Sequence, residues 1–533
     1  MKALFWLACA IALGACSGHA VGGGGGRADL RIAQQREPRS LNPALENGTA
    51  STEWGLLLFS YLLKYDDRGR FSADVATQVP SVKNGGISPD GKTITYHLRK
   101  DVRFADGTPL TAQDCVWSID AINDPANNVQ SRYGYNLITR AQAPNDSTLV
   151  LHLKKPFAPL LTIVLAPQGF PILPKHLLQK EPNFNNIAFN SAPIGSGPFV
   201  VTHWTRGDRV SMRANPYYRP AKPAIARLDV QFVPSSQTAM NLLQTHEIGG
   251  YFSELDYADY PILKGIAGYR VTSTPQNAVG ALIFNTQDAL TSDARVRHAL
   301  AQAIDIKTLI RKAYRGGIDT SRAGRGLFIW AYDPVAYPDV PFDVAGARRL
   351  LDAAGWTLDG AVRRKNGRAL SLQLIIQAAT PGDASIASNI VQYERAIGVD
   401  VTIKQFNVTQ FVAPAGEGGP VYGGKFQMAL YPFVNGDDPD TTDQFACANV
   451  PPNGYNKSRI CNRAIDALLD RGRATYDSAE RKAIYRNLQS LLYRELPIAL
   501  LYQRPEMDTF TTKLRGQTTS LSGAFWNAGA WKI

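Results

Sequence analysis

Apolar and polar residues alternate most regularly between Ile87 and Ile119, ISPDGKTITYHLRKDVRFADGTPLTAQDCVWSI. Asp90-Gly91 marks a turn. Beyond it Ile94, Tyr96 and Leu98 alternate with polar neighbours, and this period of two predicts a half-buried strand over Thr93–Arg99. Val102 and Phe104 prolong the alternation until Asp106-Gly107 turns the chain again. Thr111 and Asp114 have the spacing of a capping box, which predicts a helix burying Cys115, Val116, Ile119 and Ile122.

Similar signals recur along the chain. Strands are predicted at Asp29–Ala33, Asp146–Leu153, Phe199–Trp204, Arg209–Arg213, Ala281–Asn285 and Val401–Ile403. Asp293 begins a helix with Val296, Ala299, Leu300, Ala303 and Ile304 on one face, and Asp343 begins another that stops at Gly355. A last helix, capped by Ser478, carries Ile484, Leu488, Leu491 and Leu492 and ends at Pro497. Strand and helix signals alternating over the whole length indicate α/β lobes. No internal repeat of solenoid period is present.

The ordered run from Ile87 to Ile119 resembles the family 5 extracytoplasmic solute-binding proteins, which feed peptides and similar solutes to ABC importers. Ser40-Leu41-Asn42-Pro43, Pro193-Ile194-Gly195-Ser196-Gly197-Pro198-Phe199, Asn215-Pro216-Tyr217-Tyr218, Val296-Arg297-His298-Ala299-Leu300, Gly355-Trp356 and Gly398-Val399 match further signatures of that family in order. His246 and Gly249 depart from it, where a glycine and an aspartate are usual. The resemblance spans about Leu30 to Tyr502. It implies a periplasmic-binding-protein type of α/β fold, with two hinged lobes and an extra domain inserted in the first. The boundaries expected are 29–58, 193–280 and 504–533 for lobe I, 59–192 for the inserted domain and 281–503 for lobe II. The expected partners are a peptide or small polar solute, an ABC permease and its ATPase subunits, with the protein itself a monomer.

Within lobe II the candidate site is Tyr431–Asp440, where an apolar strand edge runs into a turn with three carboxylates. Composition alone fits a solvated acidic turn equally well. In the peptide-binding branch of the family, the corresponding loop pairs with an extended peptide and holds its ammonium with an aspartate. Alignment on Asp438-Pro439-Asp440 puts Asn435 at that aspartate's position and Pro432 near the usual tryptophan. The expected ligand contacts are therefore Phe433, Asn435, Asp437, Asp438 and Asp440. Asp437 takes over the ammonium if the loop is shifted, and otherwise the solute lacks a free amine. Tyr455 and Asn456 are weaker candidates.

The N-terminus places this activity outside the cytoplasm. Lys2, the apolar run Ala3–Leu13 and the small residues before Cys16 form a secretory signal, shorter than the roughly 20 residues that span a membrane. Leu13-Gly14-Ala15-Cys16 resembles a lipobox, which implies that residues 1–15 are removed, Cys16 is acylated, and 16–28, with Gly22–Gly26, form a tether to a membrane. Cys447 and Cys461 fit an oxidising compartment. Closing that loop as a disulfide would stabilise by about 3 kcal/mol, and metal binding is the competing role. Cys115 belongs to a helix's apolar face. The formal charge of +12 is dispersed among 45 acidic residues, which argues against nucleic acid as a partner. No Walker motif occurs, so ATP hydrolysis belongs to other subunits, and no cofactor is expected. A secreted hydrolase is the alternative class, but none of the seven histidines lies in HExxH, and Ile194 stands where a nucleophile elbow needs glycine.

Overall fold

The computed structural model describes residues 28–46, 48–67, 69–219, 221–252, 257–318, 320, 323–378 and 382–533. The signal, the lipobox cysteine Cys16 and the glycine tether up to residue 27 lie outside the described residues.

The chain opens with β1 (Ala28–Gln34). A small hairpin follows, β2 (Leu63–Tyr65) with β3 (Phe71–Ala73), and then a three-stranded antiparallel sheet of β4 (Thr93–His97), β5 (Ile138–Asn145) and β6 (Thr148–Leu153). Next come β7 (Phe199–Thr205), β8 (Arg209–Ala214), β9 (Ile225–Phe232), β10 (Gly250–Phe252) and the 16-residue β11 (Tyr269–Phe284). Three short strands, β12 (Thr357–Asp359), β13 (Val362–Lys365) and β14 (Arg368–Ala369), make a separate sheet. The last four are β15 (Ser371–Gln377), β16 (Asp400–Phe406), β17 (Met428–Val434) and β18 (Ile498–Thr511).

Ten of these strands form one continuous sheet in the order β16-β15-β17-β11-β18-β10-β1-β9-β8-β7. Its middle is the long antiparallel pair β11 and β18, matched from Tyr269↔Thr511 to Ile283↔Ile498. One half of that ladder holds β10 through Gly250↔Phe510, and the other holds β17 through Ala278↔Val434 onward. Between the halves the register slips. Pro275 faces Pro505, the next matched pair is Val279↔Gln503, and Gln276–Ala278 oppose Arg504 alone. Proline has no N–H to donate, so two facing prolines interrupt the ladder where the halves meet.

Each half has its own core. Leu30, Ile32, Phe252 and Phe510 share one buried cluster with Ile94, Tyr96, Cys115 and Leu151 of the 59–192 segment. In the other half, Leu282, Leu374 and Leu430 pack on one face of the sheet, and Ala281, Ile375, Ala429 and Phe433 on the other. The motif glycines Gly195 and Gly197 permit close backbone approach, because a Cβ on either would come within 2.4 Å of the Leu58–Phe59 backbone.

Some local expectations need correction. The apolar strand expected at Ala281–Asn285 is the end of β11, which extends back to Tyr269 because its polar half pairs with β18. Val102 and Phe104 lie in a loop with a single bridge, Arg103↔Pro109, since Asp106-Gly107 folds the segment back on itself. The last helix, Ser478–Glu495, is capped by Asp477, whose carboxylate accepts from the amides of Ala479 and Glu480. On helix Ala112–Asn123, Cys115, Ile119 and Ile122 are buried and Val116 is half-buried.

Arg297 joins two of these helices. It is 1% exposed, and its Nη1 donates to the carbonyls of Thr291 (2.9 Å) and Ser292 (2.7 Å). Its Nε donates to those of Glu495 (2.9 Å) and Leu496 (3.2 Å), so helix Ala294–Gln302 is tied to the end of Ser478–Glu495. Buried carbonyls left without donors each cost about 1–3 kcal/mol. Arg297→Met should therefore lower stability in urea titrations by about 3 kcal/mol or more, whereas a loss within about 0.5 kcal/mol, typical of surface changes, would mean the carbonyls find other donors.

Candidate functional site

The acidic turn leaves β17 beside the register slip of β11. Asn435 N donates to Asn277 O at 2.7 Å, which carries the chain off the sheet at that point. Both ends of the Asn435 side chain are engaged. Nδ2 donates to Gly326 O (2.9 Å), and Oδ1 accepts from Gln444 Nε2 (2.8 Å). With 7% of its surface exposed and its oxygen already committed, Asn435 anchors the turn.

The three carboxylates that follow have different surroundings. Asp438 is buried and receives both arms of the Arg481 guanidinium, at 2.6 and 2.5 Å. Arg481 also donates to Gly472 O (2.7 Å) and lies near the rings of Trp330 and Tyr485. Burial works against its charge, but Asp438 more than offsets that and holds its pKa up. A buried, bidentate pair of this kind is strong geometry already satisfied. Asp440 Oδ1 accepts from Thr442 N (3.1 Å) and Thr442 Oγ1 (2.5 Å), and its Oδ2 accepts from Tyr133 OH (3.0 Å). Burial, reinforced by Asp438, raises its pKa.

Asp437 has no ion pair among the described residues, although it is only 1% exposed. Its Oδ1 accepts from Asn277 Nδ2 at 2.9 Å, its carbonyl accepts from Tyr65 OH at 2.6 Å, and Oδ2 finds no hydrogen bond of good geometry. Burial pushes its pKa up to about 7. The amides of Gln168 and Asn277 oppose that rise, and the neighbouring Asp438 charge adds to it.

Phe433 belongs to the core, and the side chain beside it is Lys457. That ammonium lies 4.4 Å from the centre of the Tyr431 ring, 5.2 Å from Tyr455, 5.3 Å from Tyr422 and 5.6 Å from Phe433. Ring faces attract a cation, but burial still lowers its pKa to about 8, with Asp443 opposing. Asn456 donates to Ala446 O and Ile460 O inside the loop closed by the Cys447–Cys461 disulfide, whose Cα atoms are 4.5 Å apart, while Tyr455 lies largely exposed. Ser196 Oγ is buried with no hydrogen-bond partner among the described residues.

The turn is thus enclosed rather than solvated, and Tyr65, Tyr133, Gln168, Asn277 and Arg481 enclose it. Sequence reasoning singled out none of them. Tyr65 and Asp437 lie 372 residues apart, Tyr133 and Asp440 lie 307 apart, and no local pattern marks either tyrosine.

The unpaired carboxyl leads to a pH test. In the folded protein Asp437 keeps its proton up to about pH 7, whereas an ordinary aspartate releases it near 3.8. The folded state therefore binds more protons in that window, and stability falls as pH rises through it. Asp437→Asn should flatten this decline in urea titrations between pH 4 and 7. Parallel wild-type and variant profiles would show that the carboxyl is ionised throughout.

The family model for bacterial extracellular solute-binding proteins, family 5 Middle, matches residues 72–456. Protein XP55 of Streptomyces lividans is 28% identical over 552 aligned positions, covering 98% of this chain and 93% of that protein. The glutathione-binding protein GsiB of Shigella boydii is 25% identical, covering 81% of each chain. Among solved structures, NikZ from Campylobacter jejuni in complex with Ni(L-His) superposes with a TM-score of 0.76 at 25% identity, covering 95% of this chain and all of NikZ. The oligopeptide-binding protein AppA from Bacillus subtilis, in complex with a nonapeptide, gives 0.72 at 21% identity, over 95% of this chain and 98% of AppA.

Proposed function

The chain belongs to the bacterial extracellular solute-binding proteins of family 5, and on that premise we propose that it captures a peptide or peptide-like solute between two lobes and delivers it, chemically unaltered, to an ABC permease. Lobe I comprises 29–58, 193–280 and 504–533, the inserted domain 59–192, and lobe II 281–503. The interrupted ladder at Pro275 and Pro505 supplies the hinge. Solute that contacts both lobes shifts the population towards the closed form, and the permease reads the closed shape. A cleft between lobes is a common place for such a pocket. The lipobox at Cys16 supports attachment to a membrane from the extracytoplasmic side, and the ATPase subunits are separate chains.

The observation that carries the peptide reading is Asp437, a buried carboxyl beside that hinge without an ion pair among the described residues. A ligand ammonium brought against it would compensate the burial of its charge, which no basic side chain among the described residues does. With Asn435 Oδ1 given to Gln444, Asp437 becomes the amine acceptor. Asp438 and Asp440 shape the turn through Arg481, Thr442 and Tyr133, while Phe433 backs it from the core. The likeness to GsiB, named for glutathione binding, supports a peptide. A metal–amino-acid chelate is the second reading, favoured by the likeness to NikZ, whose structure holds Ni(L-His).

Calorimetry with trialanine and N-acetyl-trialanine tests the first reading. The free amine should bind at least about tenfold more tightly, a preference Asp437→Asn should erase, since a charge-assisted hydrogen bond is lost in each case. Binding near pH 6.5 should also release a proton from Asp437, so the heat should vary with the buffer's ionisation enthalpy. Equal affinity for the two peptides would eliminate the amine anchor. Recovery of cleaved peptide would point to a hydrolase instead.

A further inference from the structure

A second polar cluster lies where the two halves of the sheet meet, on the β18 side of the register slip that also borders the acidic turn. Arg504 stands alone in β18 opposite the three-residue slip Gln276–Ala278, one residue before the Pro275–Pro505 pair. Its Nε donates to Tyr257 OH at 3.2 Å. Its two terminal nitrogens make no hydrogen bond or ion pair among the described residues. Tyr257 packs against the buried cluster around Met240 and Leu263 in one half and also against that around Leu309 and Tyr314 in the other. Its ring meets Tyr314 edge-on at 5.4 Å, Tyr314 meets Tyr502 at the same distance, and the hydroxyls of Tyr314 and Tyr502 are 3.0 Å apart. Arg504 is therefore framed by tyrosines from both halves.

No carboxylate among the described residues neutralises this guanidinium. Glu506 follows two residues later but is engaged elsewhere, since its Oε2 accepts from Gln276 Nε2 at 2.6 Å and its Oε1 is buried without a donor. Burial, with the Asp508 charge added, raises its pKa well above the ordinary value. Asp383 acts on the hydroxyls of Tyr314 and Tyr502 and makes no ion pair with Arg504. Burial disfavours the Arg504 charge, and the oxygens of Tyr257, Tyr502 and Tyr314 more than offset it and hold its pKa up, with no acid partner among the described residues. A half-buried guanidinium that stays charged, with its fork open, is suited to two oxygens of one planar or tetrahedral anion.

We propose that Arg504 is an anion-binding residue at the hinge, whose fork takes a carboxylate or phosphate group of the solute while the hydroxyls of Tyr257 and Tyr314 approach from the two lobes. This rests on the interlobe location of the solute given above. It adds that the solute carries an anionic group, and that this group bridges elements which move relative to one another. Closure is then coupled to the anion directly, because the fork is oriented by a tyrosine of one lobe and faced by a tyrosine of the other.

The test is calorimetry on the full-length protein, Arg504→Gln and Tyr257→Phe, with trialanine, trialanine carboxamide and inorganic phosphate. Amidation of the C-terminus should weaken wild-type binding about tenfold or more, as expected when a charge-assisted pair is lost, while Arg504→Gln should bind acid and amide alike. Tyr257→Phe, which keeps the charge but removes the Nε partner that orients the fork, should retain a reduced preference for the acid. Phosphate should bind the wild type and compete with the peptide, and should do neither with Arg504→Gln. If the peptide fails to bind but phosphate still distinguishes wild type from Arg504→Gln, the anion site stands and the peptide reading falls. If wild type binds acid and amide equally, or Arg504→Gln keeps the preference, or neither probe binds wild type, the anion site is overturned.

Discussion

Everything in this molecule hangs on one ladder, the antiparallel pairing of β11 with β18. These strands belong to both halves of the ten-stranded sheet, so the halves are covalently continuous twice over and hydrogen-bonded along the same seam. Two strands constrain relative motion to bending and twisting about their own middle. That middle is where the pairing is weakest, because Pro275 and Pro505 face each other and three residues of β11 oppose a single residue of β18. An interruption elsewhere would have loosened one core, whereas here it separates two intact ones.

The polar groups around the seam follow from the same geometry. A register slip releases side chains from regular alternation, and Gln276 and Asn277 use that freedom to hold two buried carboxyls, Glu506 and Asp437. Neither carboxyl has a basic partner among the described residues, in contrast to Asp438, which sits one residue from Asp437 and is clamped by Arg481. A paired buried carboxylate is a finished structural element. An unpaired one is costly as a charge and holds its proton to higher pH than an exposed carboxyl does. Arg504 presents the complementary case, a cation whose Nε donates to the Tyr257 hydroxyl. Among the described residues the seam thus keeps groups of both signs without an ion-pair partner, which is unfavourable for stability.

Much of the frame was legible from local pattern. The alternation at Thr93–His97, the box at Thr111 and Asp114, and the caps at Asp293 and Asp343 depend on residues a few positions apart, and each has its expected counterpart in the structure. The displaced cap at Asp477 and the loop at Val102–Phe104 show the limit of such patterns, since a neighbouring better acceptor or a tight turn changes the outcome without changing the hydrophobic pattern. β11 was visible only at its apolar end, because its other half is polar and is made a strand by β18.

The acidic turn marks the division most clearly. Composition and order located Asn435–Asp440 in the chain, and composition alone fitted a solvated acidic turn equally well. The resemblance set Asp437 apart only as a stand-in for Asn435, and nothing local told which of Asp437, Asp438 and Asp440 is paired. Their surroundings come from Arg481, Tyr133, Tyr65, Gln168 and Asn277, brought in from five other stretches of the chain. Periodicity and capping act over a turn of helix or a pair of strands, so the sequence by itself determined the elements and the family they resemble. Burial and pairing of charge act through space, so only the tertiary structure decided which carboxyl is left without a partner.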